Sequence, residues 1–432
     1  MISPLTNLAL WRCLNRREEG GKIDDENDPS DAMKKQLRVL YAVGPGDVVG
    51  THRDLSDDEI SICFSRLFLD WCDESGAHAH LISWHTRRDS FRSARYFIEN
   101  YPKPSLYYQR GVNHHFGSIA YGLNVVAKSF RERPCVVVID SGTSHWIVFS
   151  LLSFLRIPVI AVMHSTLWPM GFPPKRKVDR LLRWLDGLFF RRFAAATVCV
   201  SPECERQVRQ VARVLKGPMY QCRAQFRPDL MSRITPVPPH EIRPFRVLFV
   251  GRLEVSKGVF LILSAAECLE REMPGEFRWK IVGGGSSFEA LTRQVVERNL
   301  GHVIEVTGRL PRHQALEAYG WAHSMIVPTT ERYSEGLAMT AAEAVLAGRP
   351  VVVSKVVPAW EVLGDAAIRA ETGDVDSFVE AFRRLALDSG YYDRCRRATS
   401  SAQQQFYQVS EGLGAVVGRA IRAATRSKDD TE

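Results

Sequence analysis

The sequence predicts an α/β protein of two similar domains, each a parallel sheet covered by helices. Three observations carry this. Short apolar runs alternate with segments whose apolar residues fall at helical spacing, as in strand-helix-strand units. The alternation breaks between Gly217 and Pro244, where TPVPPHEIRP is rich in proline. It restarts as FRVLFVGRLEVSKG, repeating the strand-then-glycine opening of Leu37 to Gly46.

In chain order, residues 1–36 end in the charged run RREEGGKIDDENDPSDAMKK and are expected as a flexible tail. Met1 to Arg17 has Arg12 among its apolar residues and no small-residue cleavage site after them, so no signal peptide is expected. LRVLYAV is the first strand, and GPGDVVGT follows with Gly44, Gly46 and Gly50. Such a turn either lets backbone approach a phosphate or simply reverses the chain. Leu55 to Ser75 carries Ile60, Phe64, Leu67, Phe68 and Trp71 at helical spacing, with Asp57 and Asp58 at its N-terminus. A strand at His80 to Trp84, a helix around Phe116 to Phe130 and strands at Cys135 to Asp140 and Pro158 to His164 complete the pattern. The apolar stretch Trp146 to Met163 is interrupted by Arg156 and Pro158, so it reads as a helix then a strand rather than a membrane span. The first domain is placed at 37–216 and a coil linker at 217–244. The second, at 245–400, has strands at Arg278 to Val282, ending in Gly283, Gly284 and Gly285, at His302 to Val306, and at Ser324 to Val327.

With 432 residues, 45% hydrophobic and 25% charged, the chain has material for two ordinary cores. Lys plus Arg at 57 exceeds Asp plus Glu at 49, a net +8 that suits an anionic partner. The nine cysteines form no C-x-x-C pair and no zinc pattern, which favours free thiols in a reducing cytoplasm.

The stretch Val327 to Ser354, VPTTERYSEGLAMTAAEAVLAGRPVVVS, organises the candidate chemistry. It reads as a strand end, a polar loop, a helix from about Gly336 to Leu346 and a strand from Pro350 to Ser354. Ligands of open α/β sheets bind at strand carboxyl ends beside helix N-termini, which points to the loop Thr329 to Glu335. On a helix, Glu335 and Glu343 would stand about 12 Å apart and about 80° around, on one side. They are either a solvated face or two acids holding parts of one elongated ligand. Glu343, within AAEAVLA, needs a partner if buried.

Arg252 and Lys257 lie five residues apart on the loop GRLEVSKG, bracketed by Gly251 and Gly258. Cations at a helix start oppose its dipole, so a nearby anion explains them better than solvent does. His164, ending PVIAVMH, is placed either for a ligand or as a satisfied structural histidine, and Asp140 is a weaker candidate of the same kind. His114 and His115 are adjacent and point apart, which argues against a metal site, and no D-x-D pair lies near the cleft segments. The stretch Pro173 to Phe193 carries seven basic residues and an apolar side of Leu181, Leu182, Trp184, Leu185, Leu188 and Phe189. It either packs on its sheet or lies on an anionic membrane surface.

EGLAMTAAEA followed by GRPVVVS resembles the E-x7-E signature of the retaining, nucleotide-sugar-dependent glycosyltransferases of the family 4 type. It departs at Ala338, where the family usually has Gly, and at Val356 and Val357, where the family often has glycines before Pro358 to Glu361. The resemblance covers roughly Leu37 to Ala420 and implies a GT-B architecture, two Rossmann-like domains facing a cleft, with a C-terminal helix in 401–432 crossing back. It implies that Arg252 and Lys257 clamp the donor diphosphate, that Glu335 lies by the donor sugar and that Glu343 takes the ribose hydroxyls. Backbone from Gly336 through Leu337 to Ala338 would add a helix N-terminus, Gly308, Arg309 and Leu310 would face the base, and Gly44 and Gly46 would face the diphosphate. His164 would touch donor sugar or acceptor.

The function this implies is metal-independent, retaining transfer of a hexose from a nucleotide-diphosphate sugar to an acceptor hydroxyl, in assembly of a surface polysaccharide or glycolipid. A catalytically silent nucleotide-sugar binder of the same fold is the alternative. A nicotinamide-dependent oxidoreductase is disfavoured because G-x-G-x-x-G with a later acid is absent. Expected partners are a nucleotide-sugar donor, a glycan or lipid-linked acceptor and an anionic membrane surface, with no nucleic acid, no metal and no cofactor. The expected location is the cytoplasm, at its membrane face.

Overall fold

The computed structural model describes residues 37–54, 61–109 and 111–429. The expectations for residues 1–36, Asp57, Asp58 and Ile60 lie outside these. Among the described residues there are sixteen strands. They are β1 (Arg38–Pro45), β2 (Ser61–Ile62), β3 (His78–Trp84), β4 (Asp89–Arg92), β5 (Tyr96–Asn100), β6 (Val136–Asp140), β7 (Val159–Met163) and β8 (Ala194–Cys199), then β9 (Met219–Gln221), β10 (Gln225–Phe226), β11 (Phe245–Val250), β12 (Phe277–Val282), β13 (Ile304–Gly308), β14 (Ser324–Val327), β15 (Val351–Ser354) and β16 (Ala367–Ala370).

Fourteen of these strands build two large sheets, and β2 and β10 form a two-stranded third. The first has the order β4-β5-β3-β1-β6-β7-β8-β9, parallel except for the β4 edge. The second, β13-β12-β11-β14-β15-β16, is parallel throughout. Every residue of β6, β7, β14 and β15 is buried, which is why these segments read as unbroken apolar runs rather than as alternation. In each sheet the order reverses beside its first strand, so the loops after β1 and β6, and after β11 and β14, open at a switch point where ligands bind.

The stretch 217–244, expected as coil from its prolines, holds two strands and a short helix. β9 joins the first sheet, β10 pairs antiparallel with β2, and Pro228–Met231 is a short helix. These strands span only two or three residues, too few to show a period. Arg349, 1% exposed, fastens the same stretch to the second sheet. Its guanidinium donates to the carbonyls of Thr235 at 2.8 Å, Gly320 at 3.0 Å and Ala322 at 3.2 Å, and also to Ala347. The buried cation thus satisfies carbonyls left over at two helix ends.

The helix Leu413–Asp429 packs on the helix Phe64–Ser75 of the first half. Gly414 and Gly418 make this close approach possible, because a Cβ there would collide with the Leu67 carbonyl or the Trp71 ring. An ion pair from Arg206 to Glu361 also joins the two sheets' helices.

The helix Lys177–Arg192 differs from its expected pattern. Phe189 and Phe190 turn inward, but Trp184 is 61% exposed and Leu181 55%, with Val178 beside them. Its apolar residues therefore split between the core and the outer surface.

Candidate active site

The Thr329 to Ala338 loop after β14 meets the loop after β7 directly. Gly336 lies so close to the His164 carbonyl oxygen that any Cβ would clash with it. Around this contact lies a cavity of about 660 Å3, lined from the first half by Gly44, Gly46, Asp140 and His164 and from the second by Tyr333 and Glu335 through Met339.

Glu335 is not on the helix. The helix is Met339–Leu346, and it starts only after Ala338, whose φ of 65° and ψ of 97° interrupt the helical path. The expected helical relation between Glu335 and Glu343 therefore fails, because Gly336 to Ala338 form a non-helical bend wedged against His164. Glu335 instead lies in the loop, almost fully buried, where it pairs with Lys257 Nζ and accepts from Thr329 Oγ1 at 3.1 Å. A carboxylate removed from water needs such charge-assisted partners.

Lys257 and Arg252 converge on the same spot. Both lie over the Tyr333 ring, at 3.9 Å and 5.5 Å from its centre, and Arg252 Nη2 donates to Tyr333 Oη at 3.2 Å. Arg252 also pairs with Glu254 at 3.0 Å and stays half in solvent. Nothing in the sequence singles out Tyr333, since its role comes from cation–π contacts across the two loops. The Arg252 loop is seated against the Gly283 to Gly285 run, with Gly251 N donating to Val282 O at 3.0 Å and Leu253 N to Gly284 O at 2.9 Å, and with no room for a Cβ at Gly283 beside the Gly251 carbonyl. Arg309 packs its stem on Gly284, and Leu310 borders the second core.

On the opposite wall, Asp140 accepts from Tyr41 Oη at 2.8 Å and from Gly44 N at 3.0 Å. Its Oδ1 also lies 3.0 Å from His164 Nε2, outside hydrogen-bond geometry. His164 Nδ1 has no hydrogen-bond partner, and its ring lies 4.2 Å from that of Phe64, tilted by 33°. Asp140 thus ties the glycine turn to His164.

Glu343 finds its partner inside the protein, accepting from Tyr319 Oη. Burial pushes its carboxyl pKa up, and the Tyr319 bond pulls the other way. Glu343 does not line the 660 Å3 cavity. Among the described residues no group of three or more His, Cys, Asp or Glu is placed to hold a metal ion. The eight described cysteines are free.

Residues 234–404 match the family described as glycosyl transferases group 1. This group 1 segment contains Arg252, Lys257, Tyr333, Glu335 and Glu343. The chain is 25% identical over 271 residues to a glycogen synthase of Mycobacterium tuberculosis, a match covering 59% of this chain and 61% of that relative. Sucrose-phosphate synthase of Thermosynechococcus elongatus superposes over 91% of this chain and all of its own, with a TM-score of 0.69 at 17% identity. Anabaena HepE, solved with UDP and glucose, covers 90% of this chain and all of its own, with a TM-score of 0.61 at 15% identity. These likenesses extend beyond the group 1 segment and establish the GT-B fold for both halves.

Proposed function

We propose that the protein is a glycosyltransferase moving a hexose from a nucleotide-diphosphate sugar to an acceptor hydroxyl, with retention and without a metal. The observation that carries this is the gathering of Lys257, Arg252 and Glu335 around Tyr333 at the edge of a cavity whose far wall is the Gly44 to Gly46 turn and His164. The group 1 match and the UDP and glucose held by the Anabaena protein support it.

In this reading the bond from the anomeric carbon to the terminal phosphate oxygen breaks, and Arg252 and Lys257 stabilise the charge left on the diphosphate. The acceptor oxygen attacks the same face and its proton passes to the leaving phosphate oxygen. Glu335 orients Lys257 and borders the sugar, while Glu343 takes the ribose hydroxyls once Tyr319 yields. His164, with Asp140 beside its Nε2, faces the sugar or the acceptor. Gly336 through Ala338, the Gly308 to Leu310 turn and the Gly44 to Gly46 turn supply backbone around the donor.

The setting we infer is glycan or glycolipid assembly at the cytoplasmic face of a membrane. Exposed Val178, Leu181 and Trp184 beside Lys177 and Arg180 suit an anionic lipid surface. No helix among the described residues is long and apolar enough to cross a membrane.

Incubation with a panel of nucleotide sugars should release nucleoside diphosphate, with Glu335→Ala and Lys257→Ala as controls. Binding without release under every acceptor tried would favour the silent binder, a reading that draws on Ala338 standing where the family usually has Gly.

A further inference from the structure

A second pocket of about 220 Å3 adjoins the first cavity and shares Ser141 and Ser165 with it. It lies beyond the carboxyl ends of β6 and β7, between the helices Val112–Glu132 and Lys177–Arg192. Its chemistry is lopsided. The one carboxylate on its wall, Asp186, faces Arg183: Oδ1 accepts from Trp146 N at 2.9 Å, and Oδ2 lies 3.0 Å from Arg183 Nη1 with no hydrogen-bond partner. Against that single acid stand Arg183, His114 and His145 on the wall, with His115 Nδ1 3.1 Å from His145 Nε2.

Lys103 adds a further cation just behind. It is 4% exposed, its ammonium lies 3.7 Å from the centre of the Tyr107 ring, and it donates to Gly142 O at 2.9 Å. Among the described residues no carboxylate pairs with it. Thr166, 5% exposed, lines the pocket with a hydroxyl that has no hydrogen-bond partner. Burial, followed by the charges of His115, Arg183, His114 and Lys103, pushes His145 down to about 4, and burial pushes Lys103 down to about 7. Basic groups crowded around an unbonded hydroxyl form a site that an incoming anion completes, because a bound anion favours their protonated forms and gives the hydroxyl a partner.

Building on the transfer reading above, we propose that this pocket binds a phosphate ester at the anionic end of the acceptor, contacted by Arg183, His145 and Thr166. The acceptor hydroxyl then reaches the neighbouring cavity past Ser141 and Ser165. A phosphate suits donors arriving from several directions, since each of its oxygens accepts independently. Lys103 supplies charge through the Tyr107 and Gly142 wall and holds that wall in place.

The test is titration of inorganic phosphate into the full chain carrying Lys257→Ala, which removes the donor-side cation. The result is compared with the same chain carrying Arg183→Gln or Thr166→Val in addition. Thr166→Val leaves the Arg183 pair with Asp186 intact, so it serves even where Arg183→Gln unfolds. Saturable binding weakened at least tenfold by either change supports the pocket. No saturable binding, or equal binding in all variants, overturns it.

Two further arms locate the phosphate. Glucose 6-phosphate binding more tightly than inorganic phosphate indicates a soluble sugar phosphate. Sedimentation with phosphatidate vesicles that is lost in Thr166→Val indicates a lipid headgroup. Phosphate binding here, with no nucleoside diphosphate released from any nucleotide sugar, sinks the transfer reading and leaves the pocket. Release with no phosphate binding does the reverse.

Discussion

Lys257 and Glu335 come from loops 78 residues apart, and each is the other's charge partner. Lys257→Ala should lower kcat about 10²- to 10³-fold, the range for losing one preorganised charge from a transition state. Glu335→Gln removes the partner while leaving an amide of the same shape, and a smaller loss is expected. Steady-state rates of nucleoside diphosphate release check both, and equal rates for wild type and Lys257→Ala would remove this cation from the chemistry. Ala338 offers a separate test. Its φ of 65° is a conformation that glycine adopts freely and alanine does not. Ala338→Gly should therefore stabilise the fold by about 1 kcal/mol, read as a rise in thermal midpoint. An unchanged or lower midpoint would mean that the corner is not strained. Arg252, Lys257 and the two acids stood out in the sequence as candidates, although the helical spacing expected of Glu335 and Glu343 fails. Tyr333, Thr329 and Tyr319 were not, since each acts through a contact with a distant loop or helix.

Among the elements, β14 and the chain leading into β11 share a titrating group. His323 is fully buried, accepts from Arg246 N at 3.0 Å through Nδ1, and lies 3.2 Å from Pro239 O through Nε2, which fixes it as neutral. Burial pushes its pKa down to about 4. A histidine harder to protonate when folded than when unfolded contributes stability at pH above about 6.5, the ordinary value, and loses it as pH falls toward 4. The loss amounts to roughly 3 kcal/mol at most. His145 moves in the same direction. At His80, burial is outweighed by Glu132 and Glu99, and it moves in the opposite direction. Chemical denaturation at pH 7, 5.5 and 4.5 should show the decline, and His323→Gln should flatten it in part. A profile for His323→Gln parallel to wild type would exclude this residue as a source. The strand segments were readable because parallel strands buried on both faces must be apolar. Element ends were less readable, as at Ala338, where the β14 loop docks on β7's loop and the helix starts late.

For the molecule as a whole, the join between halves depends on a few close backbone approaches. Gly414 sits where a methyl group would strike the Leu67 carbonyl and crowd Trp71. Gly414→Ala should cost about 1–3 kcal/mol, the usual penalty of overpacking. It should also speed hydrogen exchange in Phe64–Ser75 and Leu413–Asp429 while leaving the second sheet protected. Uniform loss of protection would show that the helix does not act as a separate clasp.

By itself the sequence determined the α/β class, the two sheets, the basic loop after β11 and the acids of the 335–343 stretch. Apolar period, glycine position and residue type are local properties that can be read along the chain. Only the tertiary structure decided which of these residues meet: Lys257 with Glu335, Glu343 with Tyr319, Gly336 with His164, and Asp140 with the glycine turn. Each of those contacts joins residues distant along the chain or set by a backbone corner, and neither propensity nor spacing encodes where two loops converge.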